Sequence, residues 1–122
     1  MDEKLTGLLG ETYAARYLRE EGCQIIASNV SNRFGEVDLI ARDDEYIFFV
    51  EVKTRGPNAI ASPGESVTRS KQRRICGLAA SFLQNRKYDE LQPRFDVIEV
   101  YLGPKKEVRK INHIKNAFES VY

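Results

Sequence analysis

Polar and apolar residues alternate along two stretches in the middle of the chain, 35–41 and 46–55. Both are rich in β-branched and aromatic residues, and Arg42-Asp43-Asp44-Glu45 lies between them, so the pattern predicts a hairpin of two strands. Within the second stretch Phe48-Phe49-Val50 is continuously apolar, as expected of a strand covered on both faces. Ahead of the hairpin, Leu8, Glu11, Ala15 and Leu18 recur at helical spacing over 5–21, with Thr6 as N-cap and Gly22 as stop. A strand is expected over 23–30, and 31–35 turns the chain into the hairpin. A second helix is expected over 67–86, its stripe formed by Val67, Ile75, Leu78, Ala79 and Phe82 with Lys71 in the same column. The connection 88–93 is polar. Residues 94–102 read as another strand, with Phe95, Val97, Glu99 and Tyr101 on one face and Asp96, Ile98, Val100 and Leu102 on the other. A short strand or helix closes the chain over 111–118. The order is α-β-β-β-α-β plus a short terminal element, an α/β fold with a mixed sheet flanked by helices.

Composition narrows the picture. The 122 residues are expected to form a single domain, 1–122, with room for a substantial core. The net charge is +1, so no global field attracts nucleic acid, and phosphate binding has to come from local patches. Cys23 and Cys76 sit in apolar contexts without metal-binding spacing, and with one histidine no zinc finger can be built. Both are expected to be buried free thiols of a reducing compartment. Met1-Asp2-Glu3-Lys4 lacks an apolar signal core and no run reaches membrane-spanning length, so a cytoplasmic protein without membrane contact is expected.

The candidate chemistry lies on the hairpin. With Asp44-Glu45 as a two-residue turn, Asp38 falls opposite Glu51 and Glu36 opposite Lys53. A turn at Asp43-Asp44 makes Asp38 and Glu51 diagonal on the same face, and a one-residue slip separates them. Three explanations compete: a solvated sheet face, a structural Glu–Lys ion pair, and a metal site in which a hard divalent cation relieves the repulsion of two carboxylates.

An Asp on one strand and Glu-x-Lys on the next, here Asp38 and Glu51-Val52-Lys53, resembles the PD-(D/E)xK nuclease superfamily. The wording Gly-Glu-Val-Asp-Leu-Ile-Ala followed by Phe-Val-Glu-Val-Lys-Thr-Arg is similar to the YraN-like proteins, a bacterial family of predicted endonucleases. Gly10-Glu11-x-x-Ala14, Lys71 with Arg74-Ile75, and 94–98 extend the likeness over most of the chain. Val37 stands where the superfamily's name has Pro, which leaves the Asp38 side chain in place. The resemblance implies a restriction-endonuclease-like core and Mg²⁺- or Mn²⁺-dependent hydrolysis of DNA, branched or structured forms included. Asp38 and Glu51 would hold the metal with Glu11 and the Val52 backbone carbonyl, and Lys53 would complete the catalytic set. By its pattern alone Glu11 is equally a border residue with its head in water. Gly7, Gly10 and Ala14 would let its helix approach the sheet.

Other basic residues are weighed against a solvated surface. Lys71 and Gln72, at the start of the second helix, are candidates to face phosphate, whereas Arg73 is read as surface. Arg33 and Arg55 are further nucleic-acid-binding candidates. The long loop 56–66 reads as a flap over a nucleic-acid strand or as a hinge for strand exchange in a homodimer. Asp96 is read as structural, and His113 as a polar residue of the packed tail without catalytic partners. The alternative function is a non-catalytic nucleic-acid- or partner-binding module on a nuclease-like scaffold. A nucleotide hydrolase is disfavoured because no P-loop is present.

Overall fold

In the computed structural model, which describes residues 3–57 and 67–120, Asp43 organises the central turn. Its carboxylate accepts the N–H groups of Glu45 (2.8 Å) and Tyr46 (2.7 Å). Its own N–H donates to the Tyr46 carbonyl at 3.1 Å. Asp44 and Glu45 are therefore the two turn residues, and strands β2 (Gly35–Arg42) and β3 (Tyr46–Arg55) pair antiparallel, Leu39 with Val50 and Arg42 with Ile47. This is the first of the two expected registers.

Strand β1 (Gln24–Asn32) precedes β2 and pairs with it down to Asn32–Gly35. It runs two residues beyond the expected 23–30, because the Asn32 side chain accepts the N–H groups of Phe34 and Gly35 and closes a tight turn at Arg33-Phe34. Helix α1 (Glu3–Glu20) starts ahead of Thr6, which lies inside it and is not its N-cap. Helix α2 (Arg69–Phe82) is capped by Thr68, whose hydroxyl accepts the Lys71 N–H. It ends four residues before the expected limit, and a 3-10 turn, Arg86–Tyr88, follows. Strand β4 (Gln92–Leu102) pairs parallel with β3, a geometry that needs the α2 crossover. The closing element is a full strand, β5 (Val108–Phe118), antiparallel to β4. The short terminal element expected from the sequence is thus an eleven-residue edge strand. The sheet order is β1-β2-β3-β4-β5, a mixed α/β arrangement consistent with a restriction-endonuclease-like core. Residues 58–66 of the expected flap or hinge lie outside the described residues, as do Met1 and Asp2.

Both faces of the sheet are covered. Ala14, Ala15 and Leu18 of α1 pack on Leu39, Ala41, Phe48, Val50, Ile98 and Val100. Ile75, Cys76, Leu78 and Ala79 of α2 pack on Ile40, Ile47, Phe49, Phe95 and Val97. Burial on two sides explains why β3 and β4 lack simple alternation at their centres. Cys76 is buried as expected, whereas Cys23 is only half-buried; both are free.

Asp96, fully buried, is structural as expected. It accepts two hydrogen bonds from Arg94 (2.9 and 2.8 Å) and one from the Asn116 N–H (2.9 Å). His113 Nε2 lies 2.7 Å from the same carboxylate, and its Nδ1 lies 3.0 Å from the Tyr17 hydroxyl. His113 therefore has two partners that its sequence neighbourhood did not disclose. Burial alone would raise the Asp96 carboxyl, but the hydrogen bonds from His113, Arg94 and Asn116 hold it below the usual range.

Two glycines set how closely helices approach the sheet. A Cβ at Gly10 would overlap Thr54 Oγ1 of β3, and one at Gly35 would overlap the Arg74 carbonyl of α2. A Cβ at Gly7 would meet nothing. Urea unfolding should rank the variants accordingly. Gly35→Ala is expected to lose about 1–3 kcal/mol against an immovable backbone atom, whereas Gly7→Ala should gain about 0.5–1 kcal/mol of helix stability. Equal midpoints for the two would contradict this packing.

Candidate functional site

Beyond Leu39–Val50 the ladder between β2 and β3 is replaced by a side-chain contact. Asp38 Oδ2 accepts the Val52 N–H at 2.8 Å, so a carboxylate occupies the place of a ladder carbonyl. The parting strands line a cleft of about 450 Å³ with Asp38, Glu51, Val52 and Thr54, and α1 closes it with Thr6, Gly7 and Glu11. Glu11 gets there because Gly10, beside it, lets the helix lie against Thr54. Asp38, Glu51, Val52 and Glu11 are thus brought together from three elements.

The carboxylates are poorly compensated. Buried Glu11 Oε1 and Glu51 Oε2 have no hydrogen-bond partner. Among the described residues the cation paired with Glu51 is Lys71 of α2, whose Nζ stands 3.6 Å from Oε2, an ion pair too long for a hydrogen bond. That ammonium is bonded to Glu36 Oε1 at 3.2 Å, and Arg74 contacts the same oxygen at 3.0 Å. Burial, then the charge of Asp38, pushes the Glu51 carboxyl up to about 7 against the opposing pull of Lys71 and Lys53. Burial also raises Asp38, partly offset by the Val52 N–H and Lys71. Glu11 is raised by burial and by Asp38, and lowered by a hydrogen bond with Asn29. Burial pulls the Lys71 ammonium down, but Glu51, Glu36 and Asp38 outweigh it and the group is raised. Three carboxyls raised around one cleft, two of them in part by the charge of the third, are the signature of a charge-deficient site.

The remaining sequence candidates are not among the residues that line the cleft. Lys53 is half-buried and near enough to lower the Glu51 carboxyl, but it does not line the cleft. Arg55 Nη2 is held 3.4 Å from Glu99. The Gln72 amide donates to the Val67 carbonyl at 2.8 Å and secures the start of α2. Arg33 is exposed in the β1–β2 turn with its guanidinium over the Phe34 ring at 4.8 Å. Sequence reasoning missed the Glu36–Lys71–Arg74 cluster and Asn29. Asn29 adopts φ +50°, a conformation asparagine tolerates better than most residues, and its residue type was the only available signal. Among the described residues, no three His, Cys, Asp or Glu side chains stand close enough to form a ready-made metal cage.

The Glu51 environment makes stability depend on pH. The folded protein binds the Glu51 proton more tightly than the unfolded chain does, so stability is lost as pH rises from the ordinary glutamate range through about 7. Glu51→Gln removes the ionisation. It should raise the melting temperature at pH 8 by roughly 3–6 °C and change it little at pH 5. Equal shifts at both pH values would contradict a raised carboxyl.

The chain matches the model of the uncharacterised protein family UPF0102 over residues 10–100, which includes α1 from Gly10, the hairpin, α2 and most of β4. It is 43% identical over 119 residues to a UPF0102 protein of Caldanaerobacter subterraneus subsp. tengcongensis, covering 97% of this chain and 98% of that protein. It is similar at 42% identity over 118 residues to a UPF0102 protein of Caldicellulosiruptor saccharolyticus, covering 97% of this chain and all of the relative. A Rhodococcus jostii UPF0102 protein is 45% identical over 112 residues, 92% of this chain and 94% of its own. With near full-length matches on both sides, the chain belongs to the UPF0102, or YraN-like, family.

Proposed function

We propose that the cleft binds a divalent cation and that the protein is a metal-dependent endonuclease acting on DNA in the cytoplasm. The observation that carries this reading is the pair of buried carboxylate oxygens that receive no hydrogen bond, Glu11 Oε1 and Glu51 Oε2, on one cleft with Asp38. Hard cations such as Mg²⁺ or Mn²⁺ are bound through such oxygens and keep part of their water shell. A site of two or three spaced carboxylates fits that chemistry without a closed protein cage. Asp38 and Glu51 would be the principal ligands, with Glu11 from the helix side and the Val52 carbonyl between them. The bound ion would acidify a water and stabilise charge developing on the phosphodiester.

The chain's own groups have distinct tasks in this reading. The Val52 N–H fixes the rotamer of Asp38, so its free oxygen faces the cleft. Lys71 holds Glu36 and Glu51 on the α2 side and keeps Glu51 within reach of ionisation near neutral pH. Lys53, two residues beyond Glu51, would present its ammonium to a phosphate oxygen or orient the attacking water. No helix among the described residues is long and apolar enough to cross a membrane.

The spacing of the carboxylates favours one other reading, a binding module on the same scaffold that has no catalytic metal. Calorimetry with Mn²⁺ separates the two. Wild-type protein should bind the ion, more weakly as pH falls below about 7, where Glu51 is protonated. Asp38→Asn, which keeps an oxygen for the Val52 N–H, should abolish both Mn²⁺ binding and Mg²⁺-dependent cleavage while the fold persists by circular dichroism. Lys53→Ala should lower cleavage at least about a hundredfold with Mn²⁺ binding retained. Unchanged cleavage by both purified variants would refute the site.

A further inference from the structure

The register of β3, β4 and β5 sets side chains in rows across the sheet. Arg55 pairs with Tyr101, and Tyr101 with Lys110. One step nearer the cleft, Lys53 pairs with Glu99, and Glu99 with Asn112. Directly paired residues project to the same side, so both rows share the sheet face of Glu51.

The inner row is a brace. Glu99 is 1% exposed, accepts the Asn112 amide at 2.8 Å and faces the Arg55 guanidinium at 3.4 Å. A buried carboxylate is costly to retain unless it is paired, and this one anchors a cation whose side chain is 22% exposed. In the outer row the Lys110 ammonium stands over the Tyr101 ring, 5.7 Å from its centroid. The register thus sets Arg55, Tyr101 and Lys110 side by side over three strands, with the Arg55 guanidinium turned to Glu99 and the Lys110 ammonium over the ring. Arg55 is four residues beyond Glu51, about 13 Å along β3, so one bound strand can engage both places.

We infer that the row Arg55–Tyr101–Lys110 is a docking track for a single-stranded nucleic-acid segment, with Arg55 and Lys110 on phosphates and Tyr101 stacked on an unpaired base. Charge complementarity selects a polyphosphate occupant. The aromatic ring between the cations selects unpaired bases, whose faces a duplex keeps inside its stack. Since the chain as a whole carries only +1, this local alternation supplies the attraction that net charge does not. Glu99 and Asn112 act as positioning residues for Arg55. The track rests on the phosphodiester reading of the cleft for its direction only, because binding is measurable without cleavage.

The test is fluorescence anisotropy in EDTA with a labelled oligothymidylate and a blunt hairpin duplex. Tyr101→Ala should weaken single-strand binding about tenfold, the loss of one stacked base, and duplex binding by less than about twofold. Tyr101→Phe should retain the single-strand affinity, which separates stacking from misfolding. Lys110→Glu should flatten the salt dependence of single-strand binding. Wild-type protein that binds the single strand through this row but does not cleave it when Mg²⁺ is supplied would refute the nuclease reading alone. Single-strand affinity unchanged in Tyr101→Ala, or equal losses on both ligands, would overturn the track.

Discussion

Asp38 accepts the Val52 N–H, and the rest of the site depends on that single hydrogen bond. In a regular hairpin a carbonyl would take that proton and the strands would stay closed. Here a side chain takes it, the strands part, and the same carboxylate is held at the floor of the opening. The bond also supplies part of the compensation that a half-buried carboxylate requires, pulling against the burial that raises Asp38.

Everything around that bond leaves negative charge under-compensated. α1 adds a third carboxylate, and it does so at close quarters because Gly10 presents no side chain to Thr54. α2 returns one ammonium, Lys71, but shares it between Glu36 and Glu51. Such an arrangement costs stability in the isolated chain, as functional sites commonly do. The hydrophobic clusters on the two sheet faces offset that cost, with Phe48 and Phe49 of one strand buried on opposite sides. The Asp96–Arg94–His113 network differs in kind. There each carboxylate oxygen is bonded, the acid is lowered rather than raised, and the result is a rigid joint between β4, β5 and α1. Half-buried Asp38 and fully buried Asp96, in one sheet, thus have opposite electrostatics, set by whether their partners are complete.

The central hairpin was legible in the residues because strand side chains alternate and Asp43-Asp44-Glu45 is turn chemistry. Parity alone then puts Asp38 and Glu51 on one face. The apolar run 48–50 announced a strand covered twice, and the order of periodicities announced an α/β fold. Local signals failed where the competing determinant was tertiary. Thr6 has capping chemistry, yet α1 begins ahead of it. The tail 108–118 is polar and weakly patterned, yet it forms a long strand because the edge of β4 offers it a ladder.

By itself, then, the chain determined what depends on neighbours in sequence: the turn, the alternation, the helix stripes, and the residue types able to bind a hard cation. Only the three-dimensional structure decided which charges meet across elements. That Lys71 rather than Lys53 is the cation paired with Glu51, that Glu99 braces Arg55, and that His113 bridges Asp96 and Tyr17 all follow from the packing of helices on the sheet and the register of β4 with β5. Pairing over such separations depends on the summed burial of whole faces, and no window of local sequence contains that sum.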